Sequence, residues 1–130
     1  ANDYVIRDYL ENWYRPNLRA KNRDTLTVLG PWFVDAADIA DPHKLKLRTL
    51  VNDKVTQDGG TDDMVFKVPE LISWLSSFMT LSAGDVLLTG TPDGIADVQV
   101  GDTVVTEIEG IGRLVNHIVG DDVFGVDGVS

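Results

Sequence analysis

Asp3, Arg7, Arg19 and Lys21 form a cluster of one acid and three cations whose types suit chemistry on an anionic substrate. Two roles fit Asp3. It can cap the start of a helix by accepting backbone N–H groups, or it can bind a hard cation. Mg²⁺ takes a few carboxylates together with waters and substrate oxygens, so one Asp cannot hold it alone. The neighbouring acids Asp8 and Glu11 fall on the helix that Asp3 would cap. The E-x-E triplet Glu107-Ile108-Glu109 falls on an expected hairpin strand, where a solvated face accounts for it. Lys21 is either a surface cation or, beside a metal, an ammonium that stabilises an enolate or binds a carboxylate. Arg7 can act similarly, or pair with Glu11 at i, i+4.

A second candidate is LLTGTPDG, Leu87 to Gly94. A strand ending in Thr-Gly-Thr-Pro presents backbone N–H groups and a hydroxyl, a cradle suited to a carboxylate. It lacks the Gly-Lys-Ser/Thr ending of a phosphate loop, which argues against nucleotide binding. His43 and His117 are the only histidines, and neither has a Ser or Asp at triad spacing. Both are assigned structural roles.

The elements that must position these groups follow from periodicity. Ile6, Leu10 and Trp13 share one face of an expected helix over 4–14, which Pro16 stops. Residues 17–31 show no clean period and are expected to be irregular. From Leu45 the period becomes two: a strand to Val51, a tight turn at Asn52-Asp53, and a return strand from Val55 that Gly59-Gly60 closes. Pro69 opens a helix over about 69–79 whose buried face is Leu71, Ile72, Leu75, Phe78 and Met79. Gly84-Asp85 and Gly101-Asp102 each lead into a strand, Val86–Leu88 and Thr103–Val105. The second pairs through Gly110-Ile111-Gly112 with Arg113 to His117. The fold class is therefore mainly β with α, an α+β arrangement. The expected organisation is one domain, or part of one, over 1–120, with a flexible tail at 121–130.

The 130 residues suffice for a hydrophobic core. With 21 acids against 11 bases the net charge is −10, which argues against nucleic acid or an anionic membrane as partner. Arg15, Arg19, Lys21 and Arg23 are a local exception able to meet an anionic substrate. The absence of cysteine excludes disulfides and thiolate chemistry. No apolar run approaches the roughly 20 residues of a membrane span, and a cytoplasmic location is the expectation.

The ordered set NDYVIRD, AKNRD, GPWFV, LKLRTLVND, DMVFKVPELISWLSSFMTLSAGDVLLTGTP and GDTVVTEIEGIGRLVN resembles the C-terminal half of the fumarylacetoacetate hydrolase family, from Ala1 to about Ile118. The stretch NDYVIRDYLENWYRPNLRAKNRD is most similar to members that isomerise and decarboxylate unsaturated 2-oxo diacids in aromatic (homoprotocatechuate) catabolism. The resemblance implies a mixed β-sandwich roll that binds Mg²⁺ or Mn²⁺ through three carboxylates, one falling on Asp3. The other two come from an E-x-E strand earlier in the family's sequences, which this chain does not contain. It also implies a catalytic Lys at Lys21, and substrate contacts at Gly90 and Thr91. Arg7 and Arg19 are candidate substrate-binding cations for a small dicarboxylic 2-oxo acid. Same-family C–C hydrolysis or oxaloacetate decarboxylation is the closest alternative. An inactive fragment, or one part of a split assembly, is the alternative of another class. Homo-oligomerisation, or association with an N-terminal part, is expected, since strands missing from the chain would leave apolar edges uncovered.

Overall fold

The computed structural model describes residues 1–9 and 18–124. It divides into two compact units, Ala1–Phe33 and Val34–Ser130.

In the first unit, β1 (Asn2–Asp3) pairs antiparallel with β2 (Thr27–Val28), Asp3 opposite Thr27. Asp3 is therefore a strand residue, not a helix cap. Tyr4 N–H donates to Leu26 O at 2.9 Å and Ile6 N–H to Ala20 O at 3.0 Å, so this backbone bonds to a distant segment and cannot begin a helix. Of the helix expected over 4–14, Arg7–Tyr9 forms a single 3-10 turn, and residues 10–14, with Pro16, lie outside the described residues. Residues 18–28 are more ordered than their sequence suggests, containing α1 (Leu18–Lys21) and β2. Ala20 is fully buried. A side chain this small lets the first strand's backbone approach α1 closely.

The second unit is built on a four-stranded antiparallel sheet in the order β4-β3-β5-β6: β3 (Lys46–Val51), β4 (Lys54–Gly60), β5 (Thr103–Ile108) and β6 (Gly112–His117). Asn52 and Asp53, at φ 49° and 65°, form the turn between β3 and β4, the left-handed pair that matches strand twist. The turn is stapled to β5. Asn52 Oδ1 accepts from Thr103 N–H at 2.9 Å, and its Nδ2 donates to Asp102 Oδ1 at 2.7 Å. Val104, Val105 and Leu114 are buried at the centre of the sheet. Asp58, Arg48, Glu107 and Arg113 stand side by side in one row across all four strands. Arg48 Nη2 and Arg113 Nε each donate to Glu107 at 2.8 Å, one to each carboxylate oxygen.

Helix α2 (Val68–Ser76) has Pro69 in its first turn. Glu70 Oε2 accepts from Lys67 N–H at 2.7 Å and His43 Nε2 accepts from Val68 N–H at 3.0 Å, satisfying two donors at the helix start. His43 is thus a cap. The backbone N–H of His43 and then the Lys44 side chain hold the Asp41 carboxyl below its usual value. His117 Nδ1 lies 3.0 Å from Thr103 Oγ1 across the β5–β6 pair.

Two expectations fail here. The helix face assigned to the core is partly open: Ile72, Phe78 and Met79 are 47%, 62% and 47% exposed, and Phe78 meets the ring of Trp74 edge-on within the same segment. Val86–Leu88 forms no strand. The Gly84-Asp85 turn exists, with Asp85 Oδ2 accepting from Ser82 N–H at 2.8 Å, but the residues after it find no partner strand among the described residues. After β6, Asp121–Phe124 makes a 3-10 turn, and residues 125–130 lie outside the described residues. No helix among the described residues is long and apolar enough to cross a membrane.

Candidate functional site

The backbone bonds from Tyr4 and Ile6 tie the strand after β1 to Leu26 and Ala20. Lys21 follows Ala20, and its side chain reaches back to β1. Lys21 Nζ lies 2.5 Å from Asp3 Oδ2, with the two side chains 41% and 37% exposed. The structure therefore joins the predicted metal ligand to the predicted catalytic cation. Burial raises the Tyr4 phenol above its ordinary value, opposed in part by the Asn2 amide, so this neighbour of Asp3 stays neutral. Arg7 opens the 3-10 turn and is exposed. Arg19 lies within α1.

Gly90 and Thr91 belong to the second unit. Gly90 has φ +99°, and a Cβ there would meet open space. Thr91 is exposed, and its hydroxyl accepts from Gln57 Nε2 at 2.8 Å. Gln57 is the neighbour of Thr91 that sequence patterning missed. It also donates to Pro92 O at 2.6 Å and is 8% exposed. Its only sequence signal is an amide lying between two polar residues, Thr56 and Asp58, which looks like a solvated strand position.

A hard divalent ion needs several oxygen ligands. The described residues hold no group of three or more His, Asp or Glu side chains able to bind one. Glu107 is not available, because both of its oxygens are taken by arginines. Asp3 is a suitable hard ligand, yet by itself an incomplete set.

A mostly antiparallel mixed fold, with an Asp-Lys pair at one end of the sequence and a Gly-Thr-Pro turn near the other, agrees with the family match. Residues 1–119 match the model of the fumarylacetoacetate (FAA) hydrolase C-terminal family, and the chain belongs to that family. Among its relatives, the 4-hydroxyphenylacetate degradation bifunctional isomerase/decarboxylase of Salmonella dublin is 61% identical over 119 residues, covering 92% of this chain and 28% of that enzyme. The crystal structure of 5-carboxymethyl-2-hydroxymuconate delta-isomerase from Mycobacterium smegmatis superposes with a TM-score of 0.79 at 42% identity, over 88% of this chain and 44% of that one. Maleylpyruvate hydrolase from Sphingobium sp. SYK-6, solved with manganese (II) and pyruvate, gives 0.72 at 36% identity, over 74% and 36% of the two chains. The chain thus spans less than half the length of these relatives.

Proposed function

We propose that this chain supplies the C-terminal part of the active site of an isomerase/decarboxylase acting on 2-oxo or 2-hydroxydienoic diacids in aromatic catabolism. The observation that carries the reading is the Asp3–Lys21 pair at 2.5 Å, in a chain 61% identical to the Salmonella dublin enzyme. Asp3 is one ligand of Mg²⁺ or Mn²⁺, whose remaining ligands come from residues other than those described. When bound, such an ion is a Lewis acid that polarises the carboxylate and keto oxygens of a 2-oxo acid.

Lys21 adds positive charge where negative charge develops on the keto oxygen, and the Asp3 carboxylate fixes its direction. Proton transfer at the carbon γ to the carbonyl, conjugated to it through the C3=C4 double bond, and loss of CO₂ from that same carbon both pass through one dienolate whose negative charge rests on the keto oxygen. One charge-stabilising pair therefore serves isomerisation and decarboxylation alike. The Thr91 hydroxyl and the backbone at Gly90 are donors for a substrate carboxylate, while Arg7 and Arg19 suit the distal carboxylate of a diacid.

The test is a substrate panel on the purified protein with Mg²⁺ or Mn²⁺. Isomerisation of 2-hydroxyhepta-2,4-diene-1,7-dioate and decarboxylation of 5-carboxymethyl-2-oxo-hex-3-ene-1,7-dioate are expected. Cleavage of acylpyruvates with neither of those activities would replace this reading with C–C hydrolysis, which the likeness to maleylpyruvate hydrolase favours. The incomplete ligand set supports a further reading, that residues 1–130 alone are inactive and need another polypeptide. Tight one-to-one Mn²⁺ binding by these residues alone would exclude it.

A further inference from the structure

Gln57 lies on β4, an edge strand of the sheet, and points its amide at the Gly-Thr-Pro turn. The contact with Pro92 O at 2.6 Å fixes which end of the amide is which. A carbonyl oxygen only accepts, so the Gln57 atom facing it is the nitrogen. The same nitrogen lies 2.8 Å from Thr91 Oγ1 and donates its second hydrogen there. A hydroxyl has one proton and two acceptor sites. With Gln57 filling an acceptor site, the Thr91 proton is left to point at a different acceptor, on a side chain that is itself exposed.

We propose that Gln57 is a positioning residue that sets the Thr91 hydroxyl as a hydrogen-bond donor to a carboxylate of the substrate. The inference rests on the reading of Thr91 as a substrate contact and adds the group that orients it. The backbone around the turn is shaped for the same docking. A Cβ at Gly59 would lie 2.9 Å from Pro92 Cβ, and one at Gly94, where φ is +98°, would collide with the Thr56 carbonyl oxygen. Both glycines therefore let the turn sit directly on β4, with the buried Gln57 amide between them holding Thr91 and Pro92. The lack of a side chain at Gly90 leaves the approach to Thr91 open on that side.

The experiment measures pyruvate binding to the Mn²⁺-loaded full-length protein by calorimetry, for Thr91→Val, Gln57→Met, Gln57→Glu and the double variant Gln57→Met/Thr91→Val. Thr91→Val is expected to weaken pyruvate by about tenfold, the loss of one charge-assisted hydrogen bond. Gln57→Met keeps the length and removes the donor, and should weaken it several-fold, on the order of half that effect on a logarithmic scale. The double variant should bind no more weakly than Thr91→Val alone, a coupling that a merely structural role would not produce. Gln57→Glu should be worse than Gln57→Met, since its carboxylate accepts the Thr91 proton and repels the ligand. This second variant also keeps the test alive if Gln57→Met does not fold. Unchanged pyruvate binding in Thr91→Val would remove the underlying reading of Thr91. Weakened binding in Thr91→Val with additive effects in the double variant, or with Gln57→Glu matching wild type, would overturn the Gln57 inference alone.

Discussion

The Lys21 ammonium sits 2.5 Å from the Asp3 carboxylate across 18 positions of sequence, held there by backbone bonds that neither side chain makes. Asp3→Asn and Lys21→Gln should therefore separate two functions. On the proposed reading, Asp3→Asn removes a charged ligand and should weaken Mn²⁺ by more than the roughly 10- to 100-fold that outer-sphere partners alone cost. Lys21→Gln removes a positive charge beside that ligand, so Mn²⁺ should bind as well or better while kcat falls by about 10²- to 10³-fold. Mn²⁺ titration followed by electron paramagnetic resonance, beside steady-state kinetics, checks both. Parallel loss of metal affinity in the two variants contradicts the division of roles.

Arg19→Ala should discriminate between substrates. If its guanidinium meets the distal carboxylate of a diacid, kcat/KM for the diacid falls by about tenfold or more, and that for a mono-acid analogue is little changed. Equal losses on both substrates remove the assignment.

Gly94 and Gly84 make a controlled pair. Both have positive φ, +98° and +100°, but a Cβ at Gly84 meets nothing within 4 Å while one at Gly94 strikes the Thr56 carbonyl. Gly84→Ala should cost about 1–2 kcal/mol from conformation, and Gly94→Ala about 3 kcal/mol or more because the turn must also leave β4. Urea unfolding measures the two, and equal costs would mean that the turn is not seated as described.

Asp102 gives a pH test with a defined sign. The Gln99 N–H, then the Asn52 amide, hold its carboxyl below the ordinary aspartate value of 3.8. A carboxylate whose folded pKa is lowered contributes stability that is present above the unfolded value and lost as pH falls through the folded one. Asp102→Asn should lose this part of the pH dependence. Unfolding free energies of wild type and variant should converge as pH drops below 3.8, and a gap that stays constant over that range counts against the linkage.

How much of this was legible depends on the range of each interaction. The Asn52-Asp53 hairpin and the β5–β6 pair were legible because strand alternation and turn chemistry are local. Asp3 as a strand residue was not, since its partner Thr27 is far along the chain and an Asp before an apolar period looks like a cap. Val86–Leu88 shows the converse. Its composition offers a strand, but no described neighbour accepts its hydrogen bonds. Motif resemblance points to Asp3, Lys21, Gly90 and Thr91, whereas the Asp3–Lys21 contact and the Gln57 amide bonds arise only when the chain folds. Gln57 was invisible because a buried amide and a solvated one have the same letter.

The row Asp58–Arg48–Glu107–Arg113 alternates in sign from one edge of the sheet to the other. Exposed ion pairs of this kind add little stability, yet they discriminate between alignments. A slip of one residue sends each side chain to the opposite face, and a slip of two in one direction sets the apolar Val105 against Arg48. The row therefore acts as a proofreading mark for strand alignment: it penalises the misassembled sheet more than it favours the correct one.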